Sequence, residues 1–282
     1  MQATVTPNLK NKARFFDFDS KIWQVNREMV LLLAGGRALL MQLAHPKVAA
    51  GVAEHSRFQE NPLGRLYRTM SAMWSIVFDE RSEAGGALER VESIHKGVHG
   101  TVSDGESLHA GTSYDALDQE LLLWVHATLI DSALIAYDCF VAPLSKRERE
   151  AYYDDSRKLA HLFGIEETII PAGLAEFEQY MKRMFNDDRI AVGPTAKSLA
   201  QDVLYARPWL FKPAGPLFRF VTAGLLPEQL RSNYGLGWSE RSEKFFLALA
   251  AVIRSARPLV PAPFRIVPNA RRAEKTKPGP RR

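Results

Sequence analysis

Residues 121–141, LLLWVHATLIDSALIAYDCFV, constrain the fold more than any other stretch of this chain. The run is apolar over nearly the span that a bilayer core needs, about 20 residues. It nevertheless carries His126, Asp131 and Asp138, and ionisable groups are costly in lipid. A helix buried at the centre of a soluble protein accommodates both properties. Thr128, Asp131 and Ser132 offer hydrogen-bond partners for a buried His126.

Almost every other segment also has helical period. KIWQVNREMVLLLAGGRALLMQLA (21–44) repeats apolar residues at three- and four-residue spacing, with Gly35–Gly36 as a break. Pro46, Pro62, Pro171, Pro194 and Pro227 fit first helical turns, and Asn61 fits a cap. Ser145 and Glu148 have the spacing of a capping box for a helix ending at Gly164. Ser82 opens EAGGALERVESIHKGVH, which is expected to stay helical to Gly100. A Gly/Ser/Asp-rich loop follows, and Asp118 starts the apolar helix. Strand-like alternation is close to absent. The expectation is an all-α chain: a 1–19 extension, one globular helical domain over 20–258, and a basic flexible tail over 259–282.

Charge is unevenly placed. The net +5 is concentrated in RIVPNARRAEKTKPGPRR (265–282), which holds seven Lys or Arg against one Glu. The rest of the chain is close to neutral, so no basic face for nucleic acid is expected. The tail is read as solvated chain with a possible weak contact to an anionic membrane surface. One cysteine, Cys139, rules out an internal disulfide framework, a cysteine-based zinc knuckle and a C-x-x-C-H haem attachment. The N-terminal residues have neither a signal-peptide core nor a twin arginine. Cytoplasmic localisation is the expectation.

Three constellations could carry chemistry. Leu88, Val91, His95 and Val98 follow one helical face, which puts His95 in an apolar stripe. There it is either a neutral core histidine or a metal ligand, and His99 four residues on is within reach of the same ion. HKGVH lacks the glutamate that zinc proteases use as base, and the single Glu92-x-x-His95 lacks the second copy a di-iron bundle requires. Arg65, Arg68 and Thr69 share a face suited to an anion or a polarised oxygen species, or else to surface ion pairs. His126 is either structural or the second histidine of a metal or cofactor site. His45 and His55 read as architectural. No phosphate-binding loop, dinucleotide fingerprint or serine nucleophile elbow is present.

Several segments together carry a resemblance. LMQLAHPKVAAGVAEHSRFQENPLGRLYRT, RVESIHKGVHG, YDALDQELLLWVHATLIDS, LRSNYGLGW and RIVPNARRA, in that order over residues 20–273, are similar to the DUF2236 family. This is the rubber oxygenase / latex-clearing protein catalytic domain, which includes the MpaB oxygenases. The resemblance implies a globin-like helical core around a non-covalent haem b. It implies His95, from H-x-x-V-x-G, as the iron ligand, with His99 as the fallback one turn on. Arg65-Leu66-Tyr67-Arg68-Thr69 matches the family's distal R-x-x-K-T with arginine in place of lysine. A guanidinium stays protonated and has no lone pair for iron. Arg65, Arg68 and Thr69 are thus the expected catalytic set with O2 as co-substrate. His95, Arg65 and His126 are the expected haem contacts.

The implied activity is oxygenation of an apolar, unsaturated small molecule such as an isoprenoid, lipid or secondary metabolite. The alternatives are a haem sensor or electron-transfer protein, a haem-free binder of apolar ligands, and a non-haem metal enzyme using His95 and His99.

Overall fold

The computed structural model describes residues 13–55, 62–103, 105, 109–186, 189–205 and 215–277, the side chains of 62–67 excepted. The order is α1 (Lys21–Asn26), a 3-10 turn (Met29–Ala34), α2 (Gly35–Leu43), α3 (Pro46–His55), α4 (Pro62–Phe78) and α5 (Arg81–Lys96). Two short strands follow, β1 (His99–Thr101) and β2 (Ser113–Asp115). Then come α6 (Gln119–Phe140), α7 (Lys146–Leu162), α8 (Leu174–Asn186), α9 (Pro194–Leu204), α10 (Gly215–Leu225) and α11 (Glu228–Asn233). The chain closes with α12 (Glu240–Ala256), a 3-10 turn (Arg257–Leu259), α13 (Ala262–Arg265) and α14 (Pro268–Lys275). The fold is all-α, with one two-stranded antiparallel ribbon among the described residues.

The long apolar run is the central helix α6, packed against α2, α7, α12 and the first 3-10 turn. Each of its ionisable interruptions is answered inside the protein. His126 Nε2 donates to the Ser156 carbonyl on α7 at 2.9 Å. Asp131 accepts from Arg37 on α2 at 2.6 Å. Asp138 pairs with Arg149 and accepts from the Leu144 backbone N–H at 2.9 Å. Partnered in this way, the polar groups keep most of their hydrogen bonds on leaving water.

The local signals act as their chemistry requires. Asp118 accepts from the N–H groups of Glu120 and Leu121, and Ser145 and Glu148 form a reciprocal capping box. The 3-10 turn passes directly into α2 at Gly35. Asn61 lies outside the described residues. Glycine also sets two helix crossings. A side chain at Gly36 would run into Thr222 of α10, and one at Gly224 would run into the Phe246 ring of α12. Those contacts draw α2 and α12 close to α10.

The fold extends past both boundaries read from the sequence. Phe16 is buried, and Arg14 Nε donates to the Phe78 carbonyl at 3.1 Å. The segment expected to be a flexible tail folds back through residue 277. Ile266 bridges to Glu28, and Val267 N–H donates to the Arg27 carbonyl at 2.9 Å. Glu274 accepts from Trp23 Nε1 at 3.0 Å and from Arg27 at 2.9 Å. Ile266, Val267, Ala270 and Ala273 are buried, a short helical stripe that the surrounding cations obscure in composition. Residues 278–282 lie outside the described residues.

Arg37 is a buried charge with every donor group engaged: Nε donates to the Leu225 carbonyl at 2.8 Å and Nη1 to Ser132 at 2.7 Å, besides Nη2 to Asp131. Arg37→Met is expected to lower unfolding stability by about 3 kcal/mol in urea titration, because Asp131 and two further acceptors lose their donors.

Candidate functional site

The sequence-derived site residues other than His126 fall on or beside the α4–α5 hairpin. Its two-residue connection, Asp79–Glu80, is anchored by Asn269 of α14, which donates to Asp79 at 2.6 Å. Ala84, Gly85 and Ala87 are buried on α5 and let it approach α4 closely. Leu88, Val91 and His95 continue that stripe towards the open end, each half-buried.

His95 lies in the last turn of α5. A helix C-terminus favours a charged imidazole by roughly 0.3–1 kcal/mol. Burial acts the other way and prevails, holding the His95 pKa below its ordinary value. The ring is therefore neutral at pH 7, and the described residues give it no hydrogen-bond partner. Counting back equally along both helices from the connection, His95 comes level with residues 64–65 of α4. The Arg65 side chain lies outside the described residues. Arg68 and Thr69 are exposed, about one turn nearer the connection.

His99 is not one turn along the same helix. Gly97 caps α5, Val98 N–H bonds the His95 carbonyl at 2.9 Å, and the chain enters β1. There His99 pairs with Asp115 across the ribbon and is exposed. Its backbone carbonyl accepts from His55 Nε2 at 3.0 Å. The helical His95/His99 chelate expected from spacing does not form, because Gly97 ends the helix before Gly100 can. Gly100 serves the ribbon instead: a Cβ there would lie 2.6 Å from the Tyr114 hydroxyl, which donates to Glu54.

His126 belongs to a different place. It lines a partly open cavity of about 110 Å³ between the first 3-10 turn, α2, α4, α6 and α7. One water needs only about 10–15 Å³ of such space. The walls are mainly apolar, with Met70, Met73 and Trp74 from α4 facing Leu129, Ile130 and Ala133 from α6. Glu28, Tyr152 and Ser132 add polar atoms. Glu28 is held by Arg257 at 2.5 and 2.8 Å. Neither His95, Arg68 nor Thr69 is among the described lining residues. One face of α4 looks into the cavity, and Arg68 and Thr69 lie on another.

Sequence reasoning missed two further features. His45 is buried and stacks on His109, ring planes 3° apart and centroids 5.9 Å apart. Desolvation, then His109, lowers its pKa to about 4. Glu28 and Tyr152 reach the cavity from segments whose sequence shows only helical period. Among the described residues no cluster of three His, Cys, Asp or Glu side chains is placed to hold a metal ion.

The family described as ER-bound oxygenase mpaB/B'/Rubber oxygenase, catalytic domain, matches residues 22–255. The chain belongs to this family. Two uncharacterized relatives, one from Mycobacterium tuberculosis and one from Mycobacterium bovis, are each 28% identical over 229 residues. The match covers 79% of this chain and 87% of each relative. No solved structure matches. Membership in an oxygenase catalytic-domain family supports oxygenase chemistry, and hence an oxidoreductase.

The buried histidines set a pH response. Desolvation drives His126 to about 4, only partly opposed by its bond to Ser156, and His45 falls likewise. Both rings are neutral in the folded protein but protonate near 6.5 when unfolded. The unfolded state thus binds more protons between those values, and stability falls as pH drops from 7 to 5. His126→Gln is expected to reduce that slope by about one proton in urea titrations across this range.

Proposed function

We propose that the protein is a b-type haem-dependent oxygenase acting with O2 on an apolar small molecule. The observation that carries this reading is His95. It is a neutral, half-buried imidazole without a hydrogen-bond partner among the described residues, in a member of an oxygenase family.

The donor set fits a haem: one neutral histidine, no cysteine attachment motif, and apolar neighbours along α5. His95 would hold the iron, and haem when bound supplies the redox-active metal that O2 chemistry needs. Burial keeps the His95 lone pair available at neutral pH. Arg65, level with His95 on α4, and Thr69 offer N–H and O–H donors to an oxygen that gains negative charge. Arg68 remains cationic and would offer an iron no lone pair, unlike a deprotonated lysine. Its proposed role is to hold a carboxylate of the cofactor or substrate.

The cavity on the other face of α4 is the proposed place for the apolar part of the substrate. Its Met70 and Met73 side chains adapt to irregular shapes. His126 lends a neutral wall: with Nε2 engaged by Ser156, it fastens α6 to α7 and stays uncharged through the working pH range.

The test is a visible spectrum of the haem-supplemented protein, reduced and with carbon monoxide. The expected result is a Soret band that shifts with carbon monoxide, survives His99→Ala and is lost in His95→Ala. Protein that stays colourless after haem is supplied overturns the haem reading, while a band that survives His95→Ala overturns the ligand assignment. Ala133→Phe, which fills part of the cavity, is expected to leave the Soret band intact and lower turnover of an added alkene at least tenfold, as order of magnitude.

A further inference from the structure

Helix α12 is apolar on more of its surface than the fold covers. Residues 245–253, FFLALAAVI, contain no charge. Phe246 and Ala250 are buried with Phe140 of α6 and Val221 of α10. Phe245, Leu247 and Val252 face outward, Val252 at 64% exposure. A helix that is hydrophobic all round is normally enclosed by protein or lipid. The chain carries the same character onward: Leu259 is 84% exposed in the second 3-10 turn and Phe264 73% exposed in α13.

The charge around this patch has one sign. Residues 244–273 contain no Asp or Glu but hold Lys244, Arg254, Arg257, Arg265, Arg271 and Arg272. Arg257 is committed to Glu28, and Arg272 leans 3.8 Å from Asp79. The remaining charges find no such acidic neighbour within the stretch itself.

We propose that the face built by α12, the turn Arg257–Leu259 and α13 docks on an anionic lipid surface. Val252, Leu259 and Phe264 enter the boundary between headgroups and acyl chains, and the cations around them face anionic headgroups. Exposed apolar side chains accompanied by Lys and Arg are what such an interface selects, and the attraction decays within a Debye length of roughly 8–10 Å. A second copy of the chain is the less suitable occupant, because two surfaces that each carry an excess of positive charge repel when brought face to face. Leu259, Phe264 and Arg265 belong to the segment read from the sequence as a basic tail, so the proposed contact involves its folded part.

Docking there has a consequence for the cavity, which rests on the oxygenase reading as the docking itself does not. Arg257 holds Glu28, and Val267 follows α13 directly; both Glu28 and Val267 line the cavity. Leu31 lines it too and packs in the cluster that contains the inner face of α12. A substrate dissolved in lipid would be released close to the place that binds it.

The test is flotation of the full-length protein with vesicles of phosphatidylcholine containing about one third phosphatidylserine, against phosphatidylcholine alone. The expected result is binding to the anionic vesicles that weakens with salt and falls at least about tenfold in Leu259→Asp/Phe264→Asp. Val252→Asp, on a different element, is expected to weaken it independently. All three altered sites are exposed, and unchanged circular dichroism and haem spectra would show that fold and cofactor site are intact. Absence of binding, equal binding to both vesicle types, or binding indifferent to these substitutions overturns the proposal. A concentration-dependent dimer in sedimentation, dissociated by Val252→Asp, would assign the face to a second copy instead.

Discussion

A buried guanidinium organises the centre of this protein. Arg37 is 1% exposed, a placement that is tolerable only because all three faces of its fork are met by acceptors. Those acceptors belong to α6 and to the end of α10, so the charge fixes the relative positions of three helices. Gly36, next to it, lets α10 come close enough for the Leu225 carbonyl to serve. Gly35 and Ala38, on either side, line the cavity, as does Ser132. The shape of that cavity is therefore a consequence of satisfying one charge.

Helix α4 separates two kinds of chemistry. Its methionine and tryptophan face encloses the apolar cavity with α6. His95, Arg68 and Thr69 are not among its described lining residues and lie towards the open end of the hairpin with α5. An oxygenase for apolar molecules needs both environments near each other: a dry place for the substrate and hydrogen-bond donors where charge develops. The buried histidines contribute by remaining neutral. Burial disfavours their protonated form, which keeps His126 a structural donor and leaves the His95 lone pair open to a metal.

The C-terminal segment closes the structure. It reaches back to the first helix through Glu274 and to the α4–α5 connection through Asn269, while Ile266 and Val267 cover Glu28 and one side of the cavity. Its buried face is small and apolar, and its outward side carries the cations. The same residues thus complete the core and leave a basic, apolar-studded surface.

Much of this was legible in the sequence, because helices announce themselves locally. Period, caps and proline positions located α6 and the capping box at Ser145 without any tertiary information. The ordered motifs pointed to the oxygenase family, and the apolar stripe placed His95 at a half-buried position. What the sequence left open were features that depend on which segments meet. The histidine spacing from 95 to 99 suits a helix, yet Gly97 ends it and the pairing of 98–102 with 111–116 turns His99 outward. The composition of the C-terminal residues suggests solvated chain, yet four small or branched side chains find a surface prepared by α1 and α4. The cavity, and the partition of His126 from His95, arise only when α4 and α6 are brought face to face. Local preference is written along the chain; burial and partnership are properties of the packed whole, so only the tertiary structure could assign them.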